Sequence, residues 1–221
     1  MLQGVEAVLF DMDGTIVDSM GFPHIINRQL FEENGCKYPN DLLQKIKGMS
    51  FIQACQYFRD FYGLNLSINE IHDRWVTIGF DLYRESKLKP GFTEFLKYLK
   101  QHEIKMAIVT SNTRKIAEAL IQNHQLQEFN LQIFTSSEVP KAKPEPDVYL
   151  FAAKCLNVIP SKCLVFEDVV EGILAGLRAN MRVCSVYDFY SENQDDEKRK
   201  ISNYYIKDFN EILQNTYLTL Q

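Results

Sequence analysis

The chain has no run of about 20 apolar residues, the length a helix needs to cross a bilayer, so its 221 residues carry no expected membrane span. It has no basic block. Twenty-four Lys and Arg are spread against 29 Asp and Glu, for a formal net charge of −5, and an acidic balance without a basic patch argues against nucleic acid or an anionic membrane as partner. It has no C-x-x-C pair. The five cysteines (Cys36, Cys55, Cys155, Cys163, Cys184) are odd in number. Sitting mostly in apolar runs, they read as buried free thiols, which places the protein in a reducing cytoplasm. His24, His72, His102 and His124 lack metal-ligand spacing. No signal peptide is read at the N-terminus, where charged residues begin at once, and no internal repeat is found.

What is present is ordinary globular material, 46% hydrophobic and 24% charged, with length enough for a sizeable core. Short apolar runs occur at Ala7-Val8-Leu9-Phe10, Met106-Ala107-Ile108-Val109, Cys163-Leu164-Val165-Phe166 and Val183-Cys184-Ser185-Val186, with a weaker one at Tyr204-Tyr205-Ile206. Continuous apolarity without alternation marks strands covered on both faces. Between them lie helical periods: Phe92, Phe95, Leu96 and Leu99, then Val148, Phe151, Ala152, Cys155 and Leu156. Strands alternating with helices predict an α/β fold, a Rossmann-like, doubly wound parallel sheet.

The stretch from about Ser19 to Lys87 breaks this rhythm. It holds no buried-strand run, while Ile25–Glu33, Ile52–Tyr62 and Ile71–Glu85 read as amphipathic helices. Pro90-Gly91 marks the return to the α/β pattern. The expected organisation is a discontinuous core, 1–17 and 88–221, with an all-helical cap at 18–87. Trp75 and the tyrosines of the insert read as its own core. The charged run Ser191–Lys200 reads as a solvated loop or helix face.

In an open parallel sheet, ligands bind past the carboxyl ends of the strands. The residues there are Asp11, Asp13, Gly14 and Thr15 after the first run, Thr110, Ser111 and Asn112 after the second, and Glu167 and Asp168 after the third, with Lys143 between the last two. Four carboxylates on one rim repel one another. A hard divalent cation such as Mg²⁺ relieves that, and it commonly works with a few carboxylates and a substrate phosphate. Alone, Asp-Gly-Thr could be a turn, Thr110-Ser111-Asn112 a cap for a helix starting near Arg114, and Glu167-Asp168 the acids of a helix first turn.

Together the four segments resemble the haloacid dehalogenase superfamily of hydrolases, in the branch that includes phosphoglycolate phosphatase and β-phosphoglucomutase. The motifs, in order, are Asp11-Met12-Asp13-Gly14-Thr15, Thr110 ahead of Ser111-Asn112, Lys143-Pro144, and Phe166-Glu167-Asp168 followed by Gly172-Ile173. The resemblance spans nearly the whole chain. It implies a Mg²⁺-dependent phosphomonoester hydrolase working through an aspartyl-phosphate. Asp11 would be the nucleophile and Asp13 the acid and then the base. Lys143 would offset charge. Gly14, Thr110, Ser111 and Asn112 would join Asp11 and Lys143 at the phosphate. Asp11, the Met12 carbonyl, Asp13, Glu167 and Asp168 are the metal-site candidates. Independently of the family, phosphoryl transfer is mainly positioning and neutralisation of oxygen charge, which a lysine and a metal supply.

Departures narrow the reading. The resemblance implies that mutases carry a histidine at a spacing from Asp18 filled here by Pro23, with His24 one step late, and an arginine soon after Lys47-Gly48, where Phe51 stands. A phosphatase survives both changes. Asp13 also argues against a dehalogenase, and none of Lys37, Lys45 and Lys47 stands in a phosphonatase context. Val169 replaces a serine common after the second acid of the last motif. A β-phosphoglucomutase-like mutase and an inactive binding protein of the same fold are the alternatives; no catalytic group is missing. The insert would act as a lid, with His24, Met49, Ser50 and Phe51 choosing the leaving group of a small phosphomonoester. A monomer or weak dimer is expected.

Overall fold

The computed structural model describes residues 1–46, 49 and 51–220; Lys47, Gly48, Ser50, Gln221 and the side chain of Phe51 lie outside the described residues. Among the described residues the strands are β1 Ala7–Phe10, β2 Lys105–Thr110, β3 Gln132–Thr135, β4 Cys163–Glu167, β5 Arg182–Val186, β6 Tyr204–Ile206 and β7 Leu218–Thr219. The helices are α1 Phe22–Glu33, α2 Leu42–Lys45, α3 Phe51–Tyr62, α4 Ile68–Glu85, α5 Phe92–Gln101, α6 Arg114–Asn123, α7 Asp147–Leu156, α8 Val170–Arg178, α9 Asp195–Ile201 and α10 Asn210–Leu213. The sheet order is β3-β2-β1-β4-β5-β6-β7. Strands β1 to β6 run parallel, and β7 is antiparallel on β6. The predicted α/β sheet is present. The sequence runs missed only β3 and β7, which lie at the sheet edges. An edge strand is not covered on both faces, so it leaves no continuous apolar signature.

Alpha-carbon contacts divide the chain into two units. One is Met1–Met20 with Ser86–Gln221, the other Gly21–Glu85. Asp18 goes with the first: its amide donates to the Lys87 carbonyl at 3.1 Å, and its carboxylate lies 2.6 Å from Lys89 Nζ.

In the first unit every β1 side chain is fully buried. On one face Phe10 stacks on Phe166 at 5.3 Å and meets the edge of Phe92 at 5.2 Å, with Phe95 and Phe209 closing the cluster. On the other, Leu9, Val109 and Val165 pack with Tyr149, Ala152 and Ile173 from α7 and α8. Burial of each large apolar side chain contributes about 1.5–3 kcal/mol. These two layers fix β1 between β2 and β4, with Phe10 level with Ile108 and Phe166. The chain order reverses at this position, so the residues after β1 and β4 emerge side by side at the switch point.

The second unit has its own core of Ile26, Leu30, Phe31, Cys55, Phe58 and Ile71, with Tyr38, Tyr62 and Trp75 against it, as the sequence suggested. Arg74 grips Glu33 with two nitrogens, and its hydrogen bond holds that carboxyl down at about 2.

Two expectations are corrected. The run Ser191–Lys200 is not a merely solvated face. Lys198 is buried on the face of α9 that packs on α8, and Ser191, in the turn before α9, is buried against the Asp168 carbonyl. Nor are all cysteines buried. Cys155 is exposed on the outer side of α7 and Cys36 is half-buried. Burial does raise the Cys55 and Cys163 thiols to about 11. Among the described residues no helix is long and apolar enough to cross a membrane.

Candidate active site

Strand register brings the first motif against the last. The Asp11 amide donates to the Phe166 carbonyl at 2.9 Å, extending the β1–β4 ladder by one residue past Phe10. Lys143 reaches in from the loop ahead of α7. Its Nζ donates to Asp11 Oδ1 at 2.6 Å, Glu167 Oε1 at 2.7 Å and the Val109 carbonyl at 3.1 Å. Burial alone would lower the Lys143 pKa, but the two carboxylates hold it above its usual value, so the ammonium stays charged. Tyr149, on the buried side of α7, donates its hydroxyl to the same Glu167 oxygen at 2.6 Å.

The carboxylates of Asp11, Glu167 and Asp168 converge within 4.8 Å of one another, all buried. Among the described residues one ammonium, Lys143, is hydrogen-bonded to this group of three carboxyls, leaving an excess of negative charge there. Burial first, then the Glu167 charge, pushes the Asp11 carboxyl well above its ordinary value. Burial, then Asp11, does the same to Asp168. Among the described residues Glu167 Oε2 and Asp168 Oδ2 are buried without a hydrogen-bond partner. Orphaned oxygens are costly to bury. A hard, oxygen-seeking divalent cation fits both the excess charge and the open lone pairs. The residues present therefore suit Mg²⁺.

Two glycines shape this acid pocket. Gly14 has φ +76°, and a Cβ there would lie 2.2 Å from Asp168 Oδ2. A Cβ on Gly172, in the first turn of α8, would lie 2.0 Å from Glu167 Cδ. Each glycine leaves room for one acid of the pair. Thr15, fully buried, brings its hydroxyl within 3.5 Å of Asp168 Oδ1.

Two other metal-site candidates stand apart from these three carboxylates. The Met12 carbonyl accepts the Ile16 amide at 2.9 Å and the Val17 amide at 3.2 Å, so it is committed to the turn that follows β1. The Asp13 carboxylate stands outside the three-acid cluster; its Oδ1 accepts from Ser19 Oγ at 2.5 Å and its Oδ2 from Asn112 Nδ2 at 3.4 Å. That contact places Asn112 beside Asp13. Thr110 is buried at the end of β2, with its Oγ1 accepting the Asn112 amide at 2.9 Å. Ser111 is exposed, its hydroxyl 3.3 Å from that of Ser136. The cap of α6 is Thr113, whose side chain accepts the Ile116 amide, rather than Thr110, Ser111 or Asn112.

In the helical unit His24 is taken up locally, with Nδ1 2.9 Å from the Tyr38 hydroxyl and Nε2 3.2 Å from Arg28. Met49 is exposed. Ser50 and the side chain of Phe51 lie outside the described residues.

Sequence reasoning missed Tyr149. It sits on an apolar helix face, where nothing but its hydroxyl sets it apart from core.

The comparisons agree on kinship. A family model described as haloacid dehalogenase-like hydrolase matches residues 8–186. The bifunctional riboflavin kinase/FMN phosphatase of Arabidopsis thaliana is 31% identical over 182 residues, which cover 82% of this chain and 48% of that one; this chain therefore spans under half of the plant enzyme. Hexitol phosphatase A of Escherichia coli K12 is 31% identical over 186 residues, 82% of each chain. The crystal structure of a haloacid dehalogenase hydrolase, family IA, variant 3, from Entamoeba histolytica superposes with a TM-score of 0.79 at 25% identity, covering 96% of this chain and 97% of that one.

Proposed function

Given that this chain belongs to the haloacid dehalogenase-like hydrolase family, we propose that it hydrolyses a small phosphomonoester through a phosphoryl group carried on Asp11. One observation carries the reading. Asp11 is held at the strand end by Lys143, close to two acids that each keep one buried oxygen with no partner among the described residues.

The chemistry follows from those contacts. A carboxylate oxygen of Asp11 attacks phosphorus, and the bond from phosphorus to the substrate's alcohol oxygen breaks. Asp13, positioned by Ser19 and Asn112, gives its proton to the departing oxygen. Asp13 then takes a proton from water, whose oxygen attacks phosphorus of the acyl phosphate. Phosphate leaves and the Asp11 carboxylate is regenerated. Lys143 stays charged throughout and offsets the negative charge shared by Asp11 and the phosphoryl oxygens. Thr110 and Asn112, with the Ser111 backbone between them, line the turn proposed to receive those oxygens. Asp11 and Asp168, with Glu167 beside them, would hold Mg²⁺; when bound, such a cation screens the acids and neutralises charge developing on the phosphoryl group.

The test is phosphate release from a panel of metabolite phosphates, sugar, polyol and nucleoside monophosphates, with and without magnesium. Release from at least one class only with magnesium is expected. No release from any ester under either condition would overturn the reading. A second expectation concerns Asp13. Asp13→Ala should slow turnover of a poor leaving group by about 10²–10⁴-fold, the range for a positioned general acid and base. An unchanged rate with an alkyl phosphate would remove Asp13 from that role.

A further inference from the structure

Asp168 is fixed through its backbone as much as its side chain. Among the described residues its Oδ2 has no hydrogen-bond partner, and its Oδ1 meets the Thr15 hydroxyl at 3.5 Å. The residue after it, Val169, occupies the N-cap of α8 and offers no acceptor to the helix's first amides. A helix start without a side-chain cap leaves amides to be satisfied elsewhere. The partner comes from a distant segment: the Val170 amide donates to Gln194 Oε1 at 2.8 Å. The same segment grips the Asp168 peptide, where Ser191 Oγ donates to the Asp168 carbonyl at 2.8 Å.

Ser191 is itself held from behind. Lys198 Nζ lies 3.1 Å from Ser191 Oγ, 3.3 Å from Asp195 Oδ1 and 3.5 Å from the Val186 carbonyl, with the lysine side chain fully buried. An ammonium so buried needs such partners to stay. Upstream, Asp188 closes the loop: one oxygen accepts the Tyr190 amide at 2.9 Å, and the other lies 2.8 Å from Lys89 Nζ. The segment from Asp188 to Lys198 is thus pinned at both ends, with Ser191 and Gln194 aimed at residues 168 and 170.

We propose that Ser191, backed by Lys198 and joined by Gln194, is a positioning device that holds Asp168 in place for its cation, doing from another segment what a polar side chain at position 169 would do locally. None of the three touches substrate. The inference rests on the metal-dependent reading above.

The test uses the full chain, freed of metal, as wild type, Ser191→Ala, Gln194→Ala and Lys198→Met. Magnesium titrations are read two ways: as the rise in melting temperature of the metal-free protein, and as phosphate release from an aryl phosphate. The magnesium midpoint of Ser191→Ala is expected to rise by about 10-fold or more, the usual effect of removing a partner behind a metal ligand, with turnover recovering at saturating magnesium. Gln194→Ala should shift the midpoint in the same direction. Lys198→Met should too, because it releases Ser191. A merely structural defect would lower the melting temperature without moving the midpoint and would not be rescued by added metal. Gly4→Ala, in open space at φ +71°, is the control for lost stability alone. Should Ser191→Ala not fold, Gln194→Ala at a partly exposed position decides. Unchanged midpoints in a wild-type background that does respond to magnesium sink this inference alone; a wild type with no magnesium response sinks it together with the functional reading.

Discussion

Asp11→Asn is expected to remove magnesium-dependent hydrolysis, by about three orders of magnitude or more as for other nucleophile deletions, while leaving the protein folded. Asparagine keeps the shape but cannot form an acyl phosphate. The stability side of the prediction has a definite sign. In the metal-free protein the Asp11 carboxyl is pushed above its ordinary value by burial and by Glu167. Its ionised form is therefore less favourable folded than unfolded. That penalty is absent at low pH and grows as pH rises past the ordinary carboxylate range. At neutral pH, without metal, Asn removes the penalty, and Lys143 still keeps Glu167 as a partner. The variant should melt no lower than wild type when both are treated with a chelator. A lower melting temperature with partial activity would indicate a structural role in place of a chemical one.

Gly172→Ala should also lower activity, less than loss of the nucleophile does, and through packing instead of chemistry. The added methyl would lie 2.0–2.1 Å from the Glu167 carboxyl carbon and both its oxygens. A carboxyl at the end of a flexible side chain could ordinarily swing away. Glu167 has nowhere to go: it is fully buried and tied to Lys143 and to Tyr149. Moving it breaks both bonds and loosens Lys143 from the Asp11 side of the site. Crowding of this kind costs about 1–3 kcal/mol of stability, and displacing an acid beside the metal should cost activity about 10–100-fold. Melting curves and phosphate release check both halves. Wild-type activity in Gly172→Ala would show that Glu167 can be displaced harmlessly.

The parts of this molecule that could be read from its sequence share one physical trait: local signals that match their surroundings. Strands β1, β2, β4 and β5 are covered on both faces and announce themselves as unbroken apolar runs. The acids and hydroxyls of the site follow such runs directly, so sheet topology gathers them; Lys143 joins them from the loop ahead of α7. Strand β3, with an exposed Gln132 and an edge position, has no such signature. Tyr149 lies 18 residues before Glu167 and looks like any buried aromatic until the two are brought together. That the Met12 carbonyl accepts the Ile16 and Val17 amides cannot be read from composition, which says nothing of where amides point. Lys198 hides in a charged run, because a single inward-facing lysine there carries no apolar marker.

The central claim is that phosphorus passes through a carboxyl oxygen of Asp11. The most direct measurement is a rapid acid quench of magnesium-loaded enzyme turning over a good aryl phosphate, followed by peptide mass analysis. The account predicts one phosphoryl group on the peptide containing Asp11, cleaved by hydroxylamine and absent from Asp11→Asn. Rapid turnover with that peptide never phosphorylated, together with an active Asp11→Asn, would contradict it.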